Sequence, residues 1–391
     1  MTVEFNAERL RPSSPHFGQT HHALRDQIRR FVATEIAPNL DAWDADRAIP
    51  RELHYKAAAL GILQLGYPER YGGVSDGIDM FHKLVRDEEI HASGSAGVSA
   101  ALLTHGIGLP PIIAKGSDDL KQRVAPGVLA GEKLIGLAIT EPSGGSDVAS
   151  VRTKAVRDGD HFVVNGSKTY ITSGMRADYL TTAVRTGGPG RAGVSLLLIE
   201  TNLDGIERTA LEKMGWHCSD TASISFNDVR VPVDNLVGAE NAGFSGIMSN
   251  FNEERLSMSA GAVALSRVCL SEAADWALQR ETFGKRLVEH QVVRHKLAEM
   301  LRQINATQAY LENCAWRVEQ GERPVADLAL LKVQATMTME FCAREALQIL
   351  GGAGYMRGNR VERIYREVRV QAIGGGSEEI MRDLAARQMG L

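Results

Sequence analysis

Four polar, glycine-bearing stretches of this chain carry the residue types that ligand chemistry needs. The first, Leu137 to Asp147, runs from an apolar strand through Thr140-Glu141-Pro142 into Gly144-Gly145-Ser146-Asp147. Adjacent glycines let backbone N–H groups approach a ligand closely, and the hydroxyls of Thr140 and Ser146 add donors and acceptors. The same residues also make an ordinary strand-to-turn loop. The second, Arg280 to Leu287 and on to His290-Gln291, sets Arg280, Lys285 and Arg286 around Phe283. It offers charge for a phosphate and a ring for a flat partner, or a solvated loop between two helices. The third is Gln348 to Tyr355, with Gly351, Gly352 and Gly354, and the fourth is Ile373 to Ile380, with Gly374-Gly375-Gly376-Ser377. Each suits a glycine C-cap followed by a loop. Ser377 is a good N-cap for a helix over Glu378–Arg387, and a helix N-terminus there favours a phosphate or another anion.

Several chemistries are excluded. No G-x-x-x-x-G-K-[ST], H-E-x-x-H or strand-borne G-x-G-x-x-G occurs, which removes the P-loop, the zincin helix and the Rossmann dinucleotide site. Cys218, Cys269, Cys314 and Cys342 are scattered and suggest neither a disulfide framework nor a metal site. A net charge of −4, from 44 basic and 48 acidic residues among 391, gives no reason to expect nucleic acid or an anionic membrane as partner. Apolar runs such as Val194 to Ile199 are too short to span a bilayer. The N-terminus lacks the apolar core of a signal peptide, so a cytoplasmic protein is expected.

The elements that must position these stretches change period twice. Arg25 to Glu35 and Arg51 to Leu60 place apolar residues three and four apart, as amphipathic helices do. Between about 135 and 235 the period falls to two. Asp158-Gly159 and Asn165-Gly166 read there as hairpin turns, and Tyr179 to Arg185, Gly193 to Ile199 and Ser223 to Phe226 as strands. Long helical stripes then return: Val293, Leu297, Leu301 and Ile304, then Leu328, Leu331, Ala335, Met339, Cys342, Ala346 and Ile349. The expected class is α+β: an N-terminal helical domain (1–130), a middle antiparallel sheet or barrel (131–238) and a C-terminal bundle of long helices (239–391).

In order and at these separations, T-E-P-S-G-G-S-D, K-T-Y-I-T-S-G, R-E-T-F-G-K, Q-I-L-G-G-A-G-Y and G-G-G-S-E-E-I-M-R resemble the acyl-CoA dehydrogenase flavoproteins over nearly the whole chain. The resemblance implies FAD between the sheet domain and the C-terminal helices. It places Leu137, Ile139, Thr140, Gly145 and Ser146 on the isoalloxazine side and Tyr170, Ile171 and Thr172 beside the ring. Arg280, Phe283, Gln291, Gln348, Gly351 and Gly352 would reach the cofactor of a neighbouring subunit in a homotetramer, a dimer of dimers, and Ser377 and Glu379 would lie on the adenosine-pyrophosphate side. The implied reaction desaturates an acyl-CoA between Cα and Cβ, with electrons passed to an electron-transferring flavoprotein. An acyl-CoA oxidase, an elimination-type member and a non-catalytic, CoA-ester-binding flavoprotein are the alternatives.

The chain departs from the common pattern at the base. Where familiar members carry a Glu near the C-terminus, this chain has Gly375, and the resemblance places the N–H of Gly375 or of its neighbour on the substrate's thioester carbonyl. A subset that includes the long-chain and isovaleryl-CoA enzymes has its base directly before an Arg at the start of the first long C-terminal helix. Asn252-Glu253-Glu254-Arg255 matches that pattern, making Glu254 the base and Asn252, Arg255 and Ser146 substrate contacts. An acidic pair in a helix's first turn has a plainer reading, the helix dipole. A carboxylate restored at 375 is expected to replace Glu254 in part.

Overall fold

The computed structural model describes residue 5 and residues 7–391, without the side chains at 8, 9, 249 and 250. The N-terminal reading rests on residues mostly outside that description.

Eight short helices come first: α1 (Gln19–Phe31), α2 (Leu40–Asp46), α3 (Glu52–Ala59), α4 (Met80–His91), α5 (Ala96–Leu102), α6 (His105–Gly108), α7 (Pro110–Lys115) and α8 (Asp118–Leu129). The two expected from periodicity bury their apolar stripes together, Ile28 and Phe31 of α1 packing with Leu53 and Ala57 of α3. Side-chain caps begin α4 and α8: the Asp79 carboxylate accepts the His82 N–H at 3.0 Å, and the Ser117 hydroxyl accepts that of Leu120 at 3.1 Å.

A seven-stranded sheet follows, with β1 (Ile135–Ala138), β2 (Lys154–Asp158), β3 (His161–Thr172), β4 (Tyr179–Arg185), β5 (Val194–Glu200), β6 (Ile206–Ala210) and β7 (Thr221–Pro232). Its order is β1-β4-β2-β3-β7-β6, and β5 pairs with β4. Phe162, Val164, Leu180, Val184, Leu197, Ile199, Ile224 and Val231 form its core, the alternation that the period of two requires. Most pairings are antiparallel, as expected, but β1 and β2 both run parallel to β4, so the sheet is mixed. Neither strand reaches β4 through a hairpin, which leaves its direction free.

The two supposed turns part company. Asp158 pairs with His161 across a tight turn in which Gly159 has φ +61°, as its sequence demands. Asn165-Gly166 instead lies inside β3, where the register with β7 slips between Val164 and Gly166. Gly166 has φ +146°, and a Cβ there would lie 2.6 Å from the Thr153 Cα. Its glycine serves a bulge and a close backbone approach.

Five helices complete the chain: α9 (Gly243–Gln279), α10 (Gln291–Glu319), α11 (Val325–Leu350), α12 (Arg360–Ile373) and α13 (Glu378–Gln388). The long stripe of α11 packs Ala335, Met339, Cys342 and Ala346 against Ala262, Leu265, Cys269 and Ala273 of α9, small residues that let the two helices approach. This bundle is fastened to the N-terminal helices by a buried carboxylate: Glu367 of α12 accepts from the Ser95 hydroxyl (3.0 Å) and the N–H groups of Ala96 (2.7 Å) and Gly97 (3.3 Å). Among the described residues no single helix is long and apolar enough to cross a membrane.

Gly166→Ala should destabilise the protein by about 2 kcal/mol, since the methyl meets backbone rather than a movable side chain. Urea unfolding should show a lower midpoint with an unchanged slope; an unchanged midpoint would mean that β3 needs no glycine there.

Candidate active site

Glu254 stands about three turns inside α9, so the helix N-terminus has no part in placing an acid there. Its neighbour Glu253 points outward to Lys83, Nζ to Oε2 being 2.9 Å. Glu254 turns inward, and its Oε2 is sealed from solvent with no hydrogen-bond partner among the described residues. Burial pushes the Glu254 carboxyl up to about 7, opposed by the charges of Arg255 and Lys332. A buried carboxylate without a donor is uncommon in proteins and concentrates at functional sites.

Beyond that carboxylate lies the glycine turn. Gly375 has φ +65°, and a Cβ on it would sit 3.7 Å from Glu254 Oε1 and 2.5 Å from Met258 Sδ. Glu254 therefore reaches from α9 into the space that a side chain at 375 would enter. A carboxylate at 375 in place of Glu254 strains the backbone and displaces Met258. The Gly375 N–H donates to no protein group among the described residues. The supposed substrate contacts Asn252 and Arg255 hold each other, Nη1 to Oδ1 at 3.0 Å, and the Arg255 guanidinium lies over the Phe251 ring.

The first stretch is built on a pair the sequence did not single out. Lys168 on β3 is wholly buried, its Nζ donating to Glu141 Oε1 (2.9 Å) and the Ile139 carbonyl (3.0 Å). Glu141 also accepts the N–H groups of Arg152 (2.7 Å) and Thr153 (2.8 Å). Burial drives the Lys168 ammonium down to about 8 against the pull of Glu141. Burial also opposes ionisation of Glu141, but Lys168 outweighs it and the carboxyl stays below its usual range. An ionisable residue amid the apolar alternation of β3 was the available signal. The clamp holds a tight turn in which Glu141 and Gly144 exchange backbone hydrogen bonds of 3.1 and 3.0 Å, leaving Gly144, Gly145 and Ser146 exposed.

The Thr140 carbonyl accepts the Thr169 N–H at 2.9 Å, so the first stretch lies directly beside 169–172. Tyr170 there has φ +59° and a ring 70% exposed, while Thr172 is half-buried. Leu137 is half-buried, but Ile139 and Ile171 point into the cores. The lining role expected of those two isoleucines is thus open only to their backbones.

The second stretch is a hairpin, not a plain loop between helices. Glu281 pairs with Arg286 and Thr282 with Lys285, around Phe283 (φ +51°) and Gly284 (φ +75°). Phe283, 96% exposed, stands at its tip. Arg280, Gln291, Gln348, Gly351 and Gly352 are likewise exposed. Among the described residues no hydrogen bond or ion pair joins any of them to the Thr140–Ser146 loop. Ser377 does cap α13, its hydroxyl accepting the Ile380 N–H at 3.4 Å, and with Glu379 and Arg369 it lines a small cleft between α11, α12 and α13.

Three family models match the chain: acyl-CoA dehydrogenase N-terminal domain over residues 18–132, middle domain over 136–229 and C-terminal domain over 241–390. An acyl-CoA dehydrogenase of Alternaria alternata is 39% identical, covering 97% of this chain and 93% of its own. The long-chain specific acyl-CoA dehydrogenase of Sus scrofa mitochondria is 34% identical over 95% of this chain and 87% of its own. A solved structure of a probable acyl CoA dehydrogenase from Mycobacterium abscessus superposes with a TM-score of 0.93 at 50% identity, covering 95% of this chain and 99% of that one.

The Lys168 clamp can be tested apart from any reaction. Lys168→Met leaves the Glu141 charge buried without its cation and should lower stability by about 3 kcal/mol in urea unfolding. A loss below about 0.5 kcal/mol would show that the backbone donors alone hold Glu141.

Proposed function

The chain belongs to the acyl-CoA dehydrogenase family, FAD-dependent oxidoreductases, and we propose that it desaturates an acyl-CoA thioester with Glu254 as the base. One observation carries the assignment: a half-buried carboxylate, with one oxygen sealed and unpartnered among the described residues, meets the glycine turn that departs from the family's common base position.

The side chains present fit FAD. The exposed Gly144-Gly145-Ser146 turn has no Cβ at its two glycines, Tyr170 turns an aromatic ring into solvent beside it, and Ser377 opens the N-terminus of α13 next to Arg369. Bound FAD supplies the hydride acceptor for Cβ. The chain's own residues do the rest. Glu254, balanced near neutrality, takes the Cα proton at a carboxylate oxygen. The unengaged Gly375 N–H donates to the thioester carbonyl as negative charge grows on it. Arg255, held by Asn252, keeps a positive charge close to the base.

The substrate we favour is a long or branched acyl chain. Gly375 puts no side chain into the space beside Glu254, and a long-chain specific enzyme is among the relatives. Electrons would leave to an electron-transferring flavoprotein. A cytoplasmic homotetramer, a dimer of dimers, completes the reading. Phe283 and Tyr355, 96% and 78% exposed, are large surfaces to leave in water. With Arg280, Gln291, Gln348, Gly351 and Gly352 they suit a neighbour's cofactor. Domain limits at 130 and 238 fall in the connections Leu129 to Ile135 and Asn235 to Gly243.

Glu254→Gln should retain FAD and bind acyl-CoA, yet reduce its flavin about 10²- to 10⁴-fold more slowly in anaerobic stopped flow. In the parent the rate should rise with pH through about 7, as Glu254 loses its proton, and that limb should vanish in the variant. Flavin reduction at the parental rate would remove Glu254 from the mechanism.

The assembly has its own test. Light scattering should give four chains per particle, and Arg280→Ala should bleed FAD on gel filtration. A monomer that keeps its FAD would overturn the shared site.

A further inference from the structure

Lys332 is a wholly buried lysine in the otherwise apolar stripe of α11, between Leu328, Leu331 and Ala335. Its Nζ donates to the Ala372 carbonyl in the last turn of α12 (3.2 Å) and to the Gly376 carbonyl in the glycine turn (2.7 Å). The amine therefore ties both ends of the segment that carries Gly375. Its charged surroundings are Glu254 and Arg255 from α9 and Glu378 and Glu379 from α13. Facing Glu254, in turn, are Arg255 on its own helix and Lys332 across from it. Two carbonyls need only a neutral donor, and burying an ammonium is unfavourable without a use for its charge.

We propose that Lys332 is a positioning residue of the proposed reaction: it fixes the Gly374–Gly376 turn so that the Gly375 N–H faces the thioester carbonyl, and it sets its charge across from the Glu254 side chain. This rests on the reading of Glu254 as the base. Burial draws Lys332 itself down to about 8, against the pull of the carboxylates Glu378, Glu254 and Glu379.

Two substitutions separate the roles. Lys332→Gln keeps an N–H donor for the carbonyls but removes the charge, whereas Lys332→Met removes both. With either, the acid limb of flavin reduction should move to higher pH by about one unit, because the ionised base has lost a cation. The plateau rate should stay near the parent's in Lys332→Gln and fall by about 10²-fold in Lys332→Met, whose glycine turn is untethered. A readout free of turnover is the infrared carboxyl band of the FAD-loaded protein, identified by its loss in Glu254→Gln, whose midpoint should move by the same amount. A limb and a band that vanish in Glu254→Gln but do not move in Lys332→Gln overturn the role of Lys332 and leave the base standing. A limb that persists in Glu254→Gln overturns the base and this inference with it. Should Lys332→Met not fold, Lys332→Gln alone decides the charge.

Discussion

A carboxylate with one oxygen kept from water, and no donor among the described residues to replace it, is the constraint around which this protein is arranged. Raising Glu254 from 4.5 to about 7 corresponds to about 3 kcal/mol against the ionised form. The sign follows from proton binding. Between those two pH values the folded chain holds a proton that the unfolded chain has released, so stability falls as pH rises through the interval and levels off above it. The surrounding helices must supply what this one group removes, and α9 and α11 do so through a long, close contact of alanines, cysteines and leucines.

The other buried acids show that the exposure of Glu254 to such a penalty is particular. Glu88 is drawn down to about 2: burial opposes its charge, but Arg11, Arg25 and Gln308 overcome it. Glu141 has Lys168 and two backbone donors. Glu367 is also lifted to about 7 by burial, yet it accepts three hydrogen bonds and joins two helical blocks. Each of these acids is accounted for by what it holds together. Among the described residues Glu254 Oε2 accepts no hydrogen bond, and its carboxylate lies beside a turn whose N–H is also unengaged.

Much of this was legible before any coordinates, where one local rule governs one outcome. The stripe from Leu328 to Ile349 is buried along α11, and Asp158-Gly159 is a hairpin turn. Asn165-Gly166 obeys the same local rule, but Thr153, brought in from β2, decides that it becomes a bulge. The hairpin around Phe283 was missed because two-residue strands leave no alternation to detect. At the site, Glu254 could be singled out by motif, but its depth could not: where α9 begins depends on a helix start with no side-chain cap. Lys168 and Lys332 were missed for a related reason. A lysine within an apolar pattern reads as a surface interruption until the partner carbonyls, 29 and 44 residues away in sequence, come into view.

Glycine at 375 and glutamate at 254 are best understood as a single choice. The direction from the Gly375 Cα toward a Cβ leads to Met258 and the Glu254 carboxylate, so side chains from the turn and from α9 compete for one volume. Filling it from α9 hangs the acid on a 37-residue helix packed along its length, instead of on a turn with positive φ at two successive residues. That turn is then free to be shaped by its N–H rather than by a side chain, and what shapes it is the ammonium of Lys332 drawing in the Gly376 carbonyl. The cation that orders the turn thus lies in the field of the anion the turn no longer carries. On the proposed reading, placing the acid on α9 instead of the turn preserves the meeting of base and N–H donor while changing which backbone bears the strain.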